Sequence, residues 1–181
     1  MIGRTTLSLA LVLMAGAALA QPPAPAAPAA PARAGVITPV PARRGPSMAL
    51  SLEAVQKIVE TCAAGGIKVS AIVVDSGGFG KAQLTADGAD PRSVDFVARK
   101  AYTAALTKMT PGEAVAKART DPAMDEMFKA DQRLLRAAAG GFPIKVGDEV
   151  IGGIAASGAP TPAGDDVCAK AGLDAIQSRV K

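Results

Sequence analysis

The sequence predicts an α+β domain, with helices packed on a largely antiparallel sheet. Two apolar strand pairs are each joined by a short Gly-containing turn, which makes hairpins and not crossovers. Amphipathic segments at helical spacing precede, separate and follow those hairpins, so the sheet has helices to pack against it. The last strand, Glu149 to Ser157, is nearly bare, with Gly152, Gly153, Ala155 and Ala156 along it. Glycine inside a strand marks a place where another backbone or a ligand approaches closely. Helix packing and a pocket floor both remain open for that surface.

The 181-residue chain divides by composition. Residues 1–20 carry Arg4, an apolar run from Leu7 to Leu19 and a small-residue end, Ala18-Leu19-Ala20. That is the pattern of a secretory signal peptide, too short for a membrane span and without a stop-transfer segment after it. The mature protein is therefore expected in the periplasm or outside the cell. Residues 21–46 are mostly Pro and Ala and read as a disordered, semi-rigid tether. The folded domain is assigned to residues 47–181. Of the 20 Lys+Arg, four Arg precede residue 47, which leaves 16 cations against 16 acids in the domain. A formally neutral domain gives no basis for nucleic-acid binding.

Within the domain, Ser51 is expected to cap a helix over Leu52–Ala64, with Leu52, Val55, Ile58, Val59 and Cys62 as its apolar stripe and Gly65-Gly66 as its stop. Val69–Asp75 and Phe79–Thr85 form the first hairpin. Asp90-Pro91 opens a helix over Ser93–Met109, with Val94, Val97, Ala101, Ala104 and Ala105 inward. Residues 110–139 give a short helix over 111–118, a break at Asp121-Pro122, and a helical or partly irregular stretch over 123–138. Phe142–Val146 and Glu149–Ser157 form the second hairpin about Gly147-Asp148. Asp165 or Asp166 is expected to cap a last helix to about Arg179, with Val167, Cys168, Ala171 and Ile176 inward.

The chain contains no His and no Trp. That removes Ser-His-Asp catalysis and imidazole ligation of metal or haem. Two Cys in an exported chain, Cys62 and Cys168, suggest a disulfide, the alternative being two small buried side chains. Asp121, Asp125, Glu126 and Asp131 form an acidic cluster, read either as solvated helix-start acids or as a hard-cation site.

Three segments, AIVVDSGGFGKAQLTADGA, SVDFVARKAYTAALTKMTP and GGFPIKVGDEVIGGIAASGAPTPAGDDVCAKAGLDAI, together resemble the GlcG/HbpS-like haem-binding family, whose domain also ends PduO-type proteins. The resemblance covers about residues 50–177. It implies a profilin-like fold, a five-stranded antiparallel sheet flanked by helices, and homo-oligomers, often octamers. It implies haem or a related tetrapyrrole as ligand, and for some members haem degradation or iron-linked redox sensing. On this resemblance Arg99, Lys100, Tyr102 and Thr103 of RKAYTAAL, with Ser157 and Gly158 at the end of the bare strand, are the expected ligand-binding residues. Arg99 and Lys100 would meet ligand carboxylates. Axial candidates are Tyr102, Met109, Met124, Met127 and Cys168. Asp125 and Glu126 are the positions that loosely match a carboxylate iron site.

The sequence thus points to an exported haem- or tetrapyrrole-binding protein. The alternatives are an enzyme acting on a small acid or on haem, with Asp75, Asp165 or Asp166 as acid/base, and a non-catalytic oligomeric accessory protein.

Overall fold

The computed structural model describes residues 43–181. The expected signal peptide and most of the expected tether lie outside the described residues. Elements follow in the order α1 (Met48–Ala64), β1 (Ser70–Asp75), β2 (Gly80–Thr85), α2 (Ser93–Thr107), α3 (Pro111–Ala118), α4 (Pro122–Ala130), β3 (Gly141–Val146), β4 (Glu149–Ser157) and α5 (Pro162–Ile176). A 3₁₀ turn, Gln177–Arg179, follows α5. Among the described residues, no helix is long and apolar enough to cross a membrane.

The sheet is antiparallel with strand order β2-β1-β4-β3. It has four strands among the described residues, where the family resemblance implied five. The 110–139 region supplies no fifth, because its two prolines sit at helix starts where a missing N–H costs nothing. Thr110 and Glu113 add a reciprocal capping box to α3.

The two inner strands are covered on both faces, and alternation divides their side chains between two layers. Val69, Ala71, Val73, Ile154 and Ala156 pack with Ala54, Val55 and Ile58 of α1 and Ala169 of α5. Ile72, Val74 and Ala155 pack with Val97, Ala101 and Ala105 of α2. The bare surface of β4 is helix packing, and the helix at its centre is α2. A Cβ on Gly153 would lie 2.2 Å from the Ala101 carbonyl oxygen, so only glycine lets α2 sit this close.

Cys62 of α1 and Cys168 of α5 are joined by a disulfide, with Cα atoms 5.6 Å apart across 106 residues of sequence. Both are buried, and the bond ties the two helices of one layer together.

Several boundaries move for local reasons. Helix α1 starts at Met48 because Ser47, not Ser51, accepts from the Leu50 N–H. Ser51 is buried inside the helix and donates to the Ser47 carbonyl, while Leu52 is 47% exposed. Helix α2 stops at Thr107, where Lys108 takes a left-handed φ of 60°, and Val94 is exposed. The stretch after Ala130 leaves the helix, with Asp131 extended. Helix α5 is capped by Thr161, four residues before Asp165, and Val167 faces solvent. The segment 43–46, assigned to the tether, packs on the domain. The Arg43 guanidinium stacks 3.9 Å over the Phe79 ring, Arg44 pairs with Glu149, and Pro46 is buried.

Candidate functional site

Helical spacing divides the expected site residues of α2 between two faces. Lys100, with Ser93 and Phe96, turns toward the end of β4 and the start of α5. Arg99, Tyr102 and Thr103 turn toward the segment that follows α4. The structure does not bring all six residues together.

On the first face lies a cleft of about 290 Å³, lined by Arg92, Ser93, Phe96, Ser157, Gly158 and Asp165 among others. Lys100 is buried beside it. Its ammonium donates to Asp165 Oδ2 at 2.6 Å and to the Ala156 carbonyl at 3.3 Å. The other carboxylate oxygen of Asp165 accepts from the Ala159 N–H at 2.9 Å. This corrects two expectations. Asp165 is not the cap of α5, and Lys100 is not free for a ligand carboxylate, because each is the other's counter-charge. Arg92 is likewise held by Asp90, whose carboxyl that hydrogen-bonded pairing lowers to about 2. Among the described residues the Lys100 and Arg92 charges at this cleft are each matched by an adjacent carboxylate.

On the second face lies a larger groove of about 540 Å³, lined by Arg99, Phe128, Gln132, Leu134, Leu135 and Arg136. Its size falls in the roughly 300–1,000 Å³ usual for small-molecule sites. Phe128 and Leu134 are buried in the cluster beneath it. Arg99 reaches across from α2 and donates to the carbonyls of Gln132 at 3.0 Å and Leu134 at 3.4 Å. Its Nε is buried and has no acceptor. Arg136 stacks 4.6 Å over Phe128 and pairs with Asp125 at 2.5 Å. Thr103 also serves this side. Its hydroxyl donates to the Arg99 carbonyl and accepts from the Leu135 N–H at 2.8 Å, so it anchors the groove wall and does not face Ser157.

Tyr102 borders a small apolar pocket that shares Arg99 with the groove. Its hydroxyl donates to Asp131 at 2.5 Å, and the Arg133 guanidinium stacks 4.3 Å over its ring. Gly78, at φ +77°, lies against the same ring, and a Cβ there would come within 2.2 Å of it. Hydrogen bonds from Arg133 first and Tyr102 second hold the Asp131 carboxyl well below the usual range. Burial, then the bond to Asp131, pushes the Tyr102 phenol up to about 12. Tyr102 is the single tyrosine in the chain, so tyrosinate absorbance reports it alone. The folded protein should titrate near 12, and the protein in denaturant near the unperturbed value of about 10. Because the folded value is the higher, the stability this group contributes is intact below about pH 10 and is lost between about 10 and 12. A folded-state midpoint at the unperturbed value would remove the Tyr102–Asp131 bond.

The acidic cluster is already paired. Asp121 caps α4, Asp125 pairs with Lys129 and Arg136, and Glu126 pairs with Lys129 at 2.7 Å. Among the described residues no three His, Cys, Asp or Glu side chains converge as a metal site. The named acid/base candidates have structural partners too. Asp75 Oδ1 accepts from the Gly77 and Phe79 N–H groups, and Asp166 accepts from the Gly140 N–H at 2.6 Å. Phe128, Arg133, Leu134, Leu135 and Arg136 were not among the sequence-predicted site residues. The available signal was Leu134-Leu135 flanked by Arg133 and Arg136 in an otherwise polar stretch.

Sheet, layers and groove define the class: an α+β domain with helices on both faces of an antiparallel sheet and an arginine-edged groove on the α2 side. The chain belongs to the HbpS-like family, whose model, described as "Haem degrading protein HbpS-like", matches residues 47–174. Among solved structures, a double mutant of HbpS from Streptomyces reticuli is 30% identical at a TM-score of 0.67, covering 84% of this chain and 99% of that one. Protein ORFY of Klebsiella pneumoniae is similar in fold, at 22% identity and a TM-score of 0.67, over 81% of this chain and 99% of that one. A PduOC:heme complex matches at 20% identity and a TM-score of 0.61, over 69% of this chain and 90% of that one. No curated protein matches the chain significantly.

Proposed function

We propose that this protein binds haem or a related tetrapyrrole in the groove between α2 and the 131–136 segment. The observation that carries the reading is the groove itself, of about 540 Å³ and edged by two partly exposed guanidiniums, Arg99 (paired with Asp95 at 3.6 Å) and Arg136. A tetrapyrrole offers a flat apolar face and peripheral carboxylates. Leu135 and the guanidinium plane of Arg136, which Phe128 supports from below, suit the face, while Arg99 suits the carboxylates. Family membership and the haem held by the similar PduOC domain support the choice of ligand. This moves the ligand from the Ser157-Gly158 loop, favoured by sequence, to the opposite side of α2.

Titration with hemin should give a shifted, saturable Soret band, and Arg99→Gln should weaken binding by about tenfold, as for loss of one charge-assisted hydrogen bond. A spectrum indistinguishable from free hemin would defeat the reading. Equal affinity in the variant would move the site elsewhere.

Export to the periplasm or beyond is part of the proposal, supported by the leader pattern and by a disulfide of a kind that persists in oxidising compartments. Recovery of the protein in the cytosolic fraction with its N-terminus intact would refute it. Assembly into homo-oligomers is proposed on the exposure of Phe79, Val94 and Phe96. A monomeric mass by light scattering would remove that part.

A further inference from the structure

We infer that residues 132–139 form a strap that opens as one unit, and that Arg99, Tyr102 and Thr103 of α2 are the clasp that holds it shut beside the groove. The corollary, that the ligand enters by this opening, rests on the tetrapyrrole reading of that groove.

Backbone bonds fix the strap at its two ends. The Asp131 N–H donates to the Met127 carbonyl in α4, and the Gly140 carbonyl accepts from the Ala156 N–H of β4. Between those ends, among the described residues, no backbone group of 132–139 bonds the backbone of a helix or strand. The Leu134 and Ala137 N–H groups bond locally, to the Asp131 and Leu135 carbonyls. Side chains make the ties to the rest of the fold. Arg99 donates to the Gln132 and Leu134 carbonyls, Thr103 accepts from the Leu135 N–H, and Tyr102 holds Asp131 at the strap's start. Arg136 adds a pair with Asp125 of α4. Leu134 is the one buried residue in 132–139. A segment with one buried anchor and solvent-exposed ties opens locally, well before the whole domain unfolds.

The closed strap carries a cost of its own. With the Arg99 guanidinium held on the strap carbonyls, its Nε is buried without an acceptor among the described residues. A buried donor left unpaired is destabilising, and release of the guanidinium to water relieves it. Opening also changes the space around the strap. On one side lies the groove of about 540 Å³, and beyond Ala137 and Ala138 lies a second cavity of about 360 Å³, walled by Gly112, Val115 and Ala116 of α3. Arg136 lines both. Gly112 meets the strap by contact: a Cβ there would come within 2.3 Å of the Ala138 carbonyl oxygen. A swing of the strap joins the two spaces and gives a broad, flat ligand a way in past Arg136.

Native-state hydrogen exchange of the full chain, read residue by residue, tests the strap. The Leu134 and Ala137 N–H groups should exchange at least about a hundredfold faster than the paired amides of β1 and β4, at a rate insensitive to low denaturant. Thr103→Val and Tyr102→Phe leave the acceptors of those two groups in place. Each variant should still speed their exchange by about tenfold, the effect of one lost hydrogen bond on a shared opening. Reduction of Cys62–Cys168, which acts on global unfolding, should leave their exchange unchanged. Strap amides that exchange at the rate of the sheet, that follow global stability on reduction, or that ignore both variants overturn the inference. Stopped-flow mixing with hemin tests the route of entry. Both variants should speed hemin association by about tenfold, because the open fraction rises by that factor. Unchanged association beside faster strap exchange overturns entry through the strap and leaves the tetrapyrrole reading standing. Hemin that binds neither the parent protein nor the variants overturns the tetrapyrrole reading and the entry route together, and the exchange rates still decide the strap.

Discussion

Lys100→Met is expected to destabilise the protein by about 3–5 kcal/mol, the usual cost of removing one member of a buried ion pair. The side chains of Lys100 and Asp165 are only 10% and 7% exposed and lie 2.6 Å apart. Methionine keeps the stem and its packing but leaves the Asp165 carboxylate in a low-dielectric setting with no counter-charge. The loss should spread to neighbouring elements, because the pair joins the middle of α2, the last residues of β4 and the first turn of α5. Asp165→Asn should be milder: it keeps an oxygen for the Ala159 N–H but leaves Lys100 uncompensated. The double variant should recover much of the loss, since neither charge then remains. Urea unfolding gives the comparison, with a fall in midpoint at unchanged slope. A single-variant loss under about 1 kcal/mol, or strictly additive effects, would mean that solvent screens the pair.

Reduction of Cys62–Cys168 should lower stability by about 4–5 kcal/mol, the chain-entropy value for a loop of roughly a hundred residues. For a domain of this size that corresponds to a fall of roughly 15 °C in melting temperature. The folded state needs little change, because two buried thiols fit where the disulfide sits and a free Cys packs as a small hydrophobe. The effect should therefore act on the unfolded chain, which becomes less compact. The denaturant slope should rise on reduction while the native spectrum stays the same. Cys62→Ala with Cys168→Ala should behave like the reduced protein. A loss below about 1 kcal/mol would show that residual structure already constrains the unfolded chain.

The elements themselves were largely legible. Hairpin turns containing Gly77, Gly78 and Gly147, the helix stop at Gly65-Gly66, and the Pro111 and Pro122 starts act through backbone geometry within a few residues. Such signals survive in a one-dimensional reading. Errors arose where two local candidates competed. Ser47 and Ser51 both suit a helix start, and Thr161, Asp165 and Asp166 all suit another. Asp165 was drawn away from capping by Lys100, 65 positions earlier, a partner that no local pattern announces.

The site was legible in its residue types and not in its arrangement. RKAYTAAL identified α2 as the helix that matters, but its consecutive residues Arg99 and Lys100 diverge by about 100° around the axis. One therefore edges an open groove while the other neutralises a buried acid. The acidic cluster looked like a cation site because only its own charges are adjacent in sequence. Arg136, which pairs with Asp125 across a chain reversal, becomes a neighbour only after folding.

By itself the sequence determined the layered α+β class, the hairpin pairing, the family and the absence of imidazole chemistry. Each follows from local backbone preference, periodicity or composition. The tertiary structure decided which helix covers the glycines of β4, that Lys100 is held by Asp165, and that Arg99 reaches the 132–134 carbonyls at the edge of the groove. Those outcomes depend on burial and on partners distant in sequence, and the free energy of a charge is set by what surrounds it after folding.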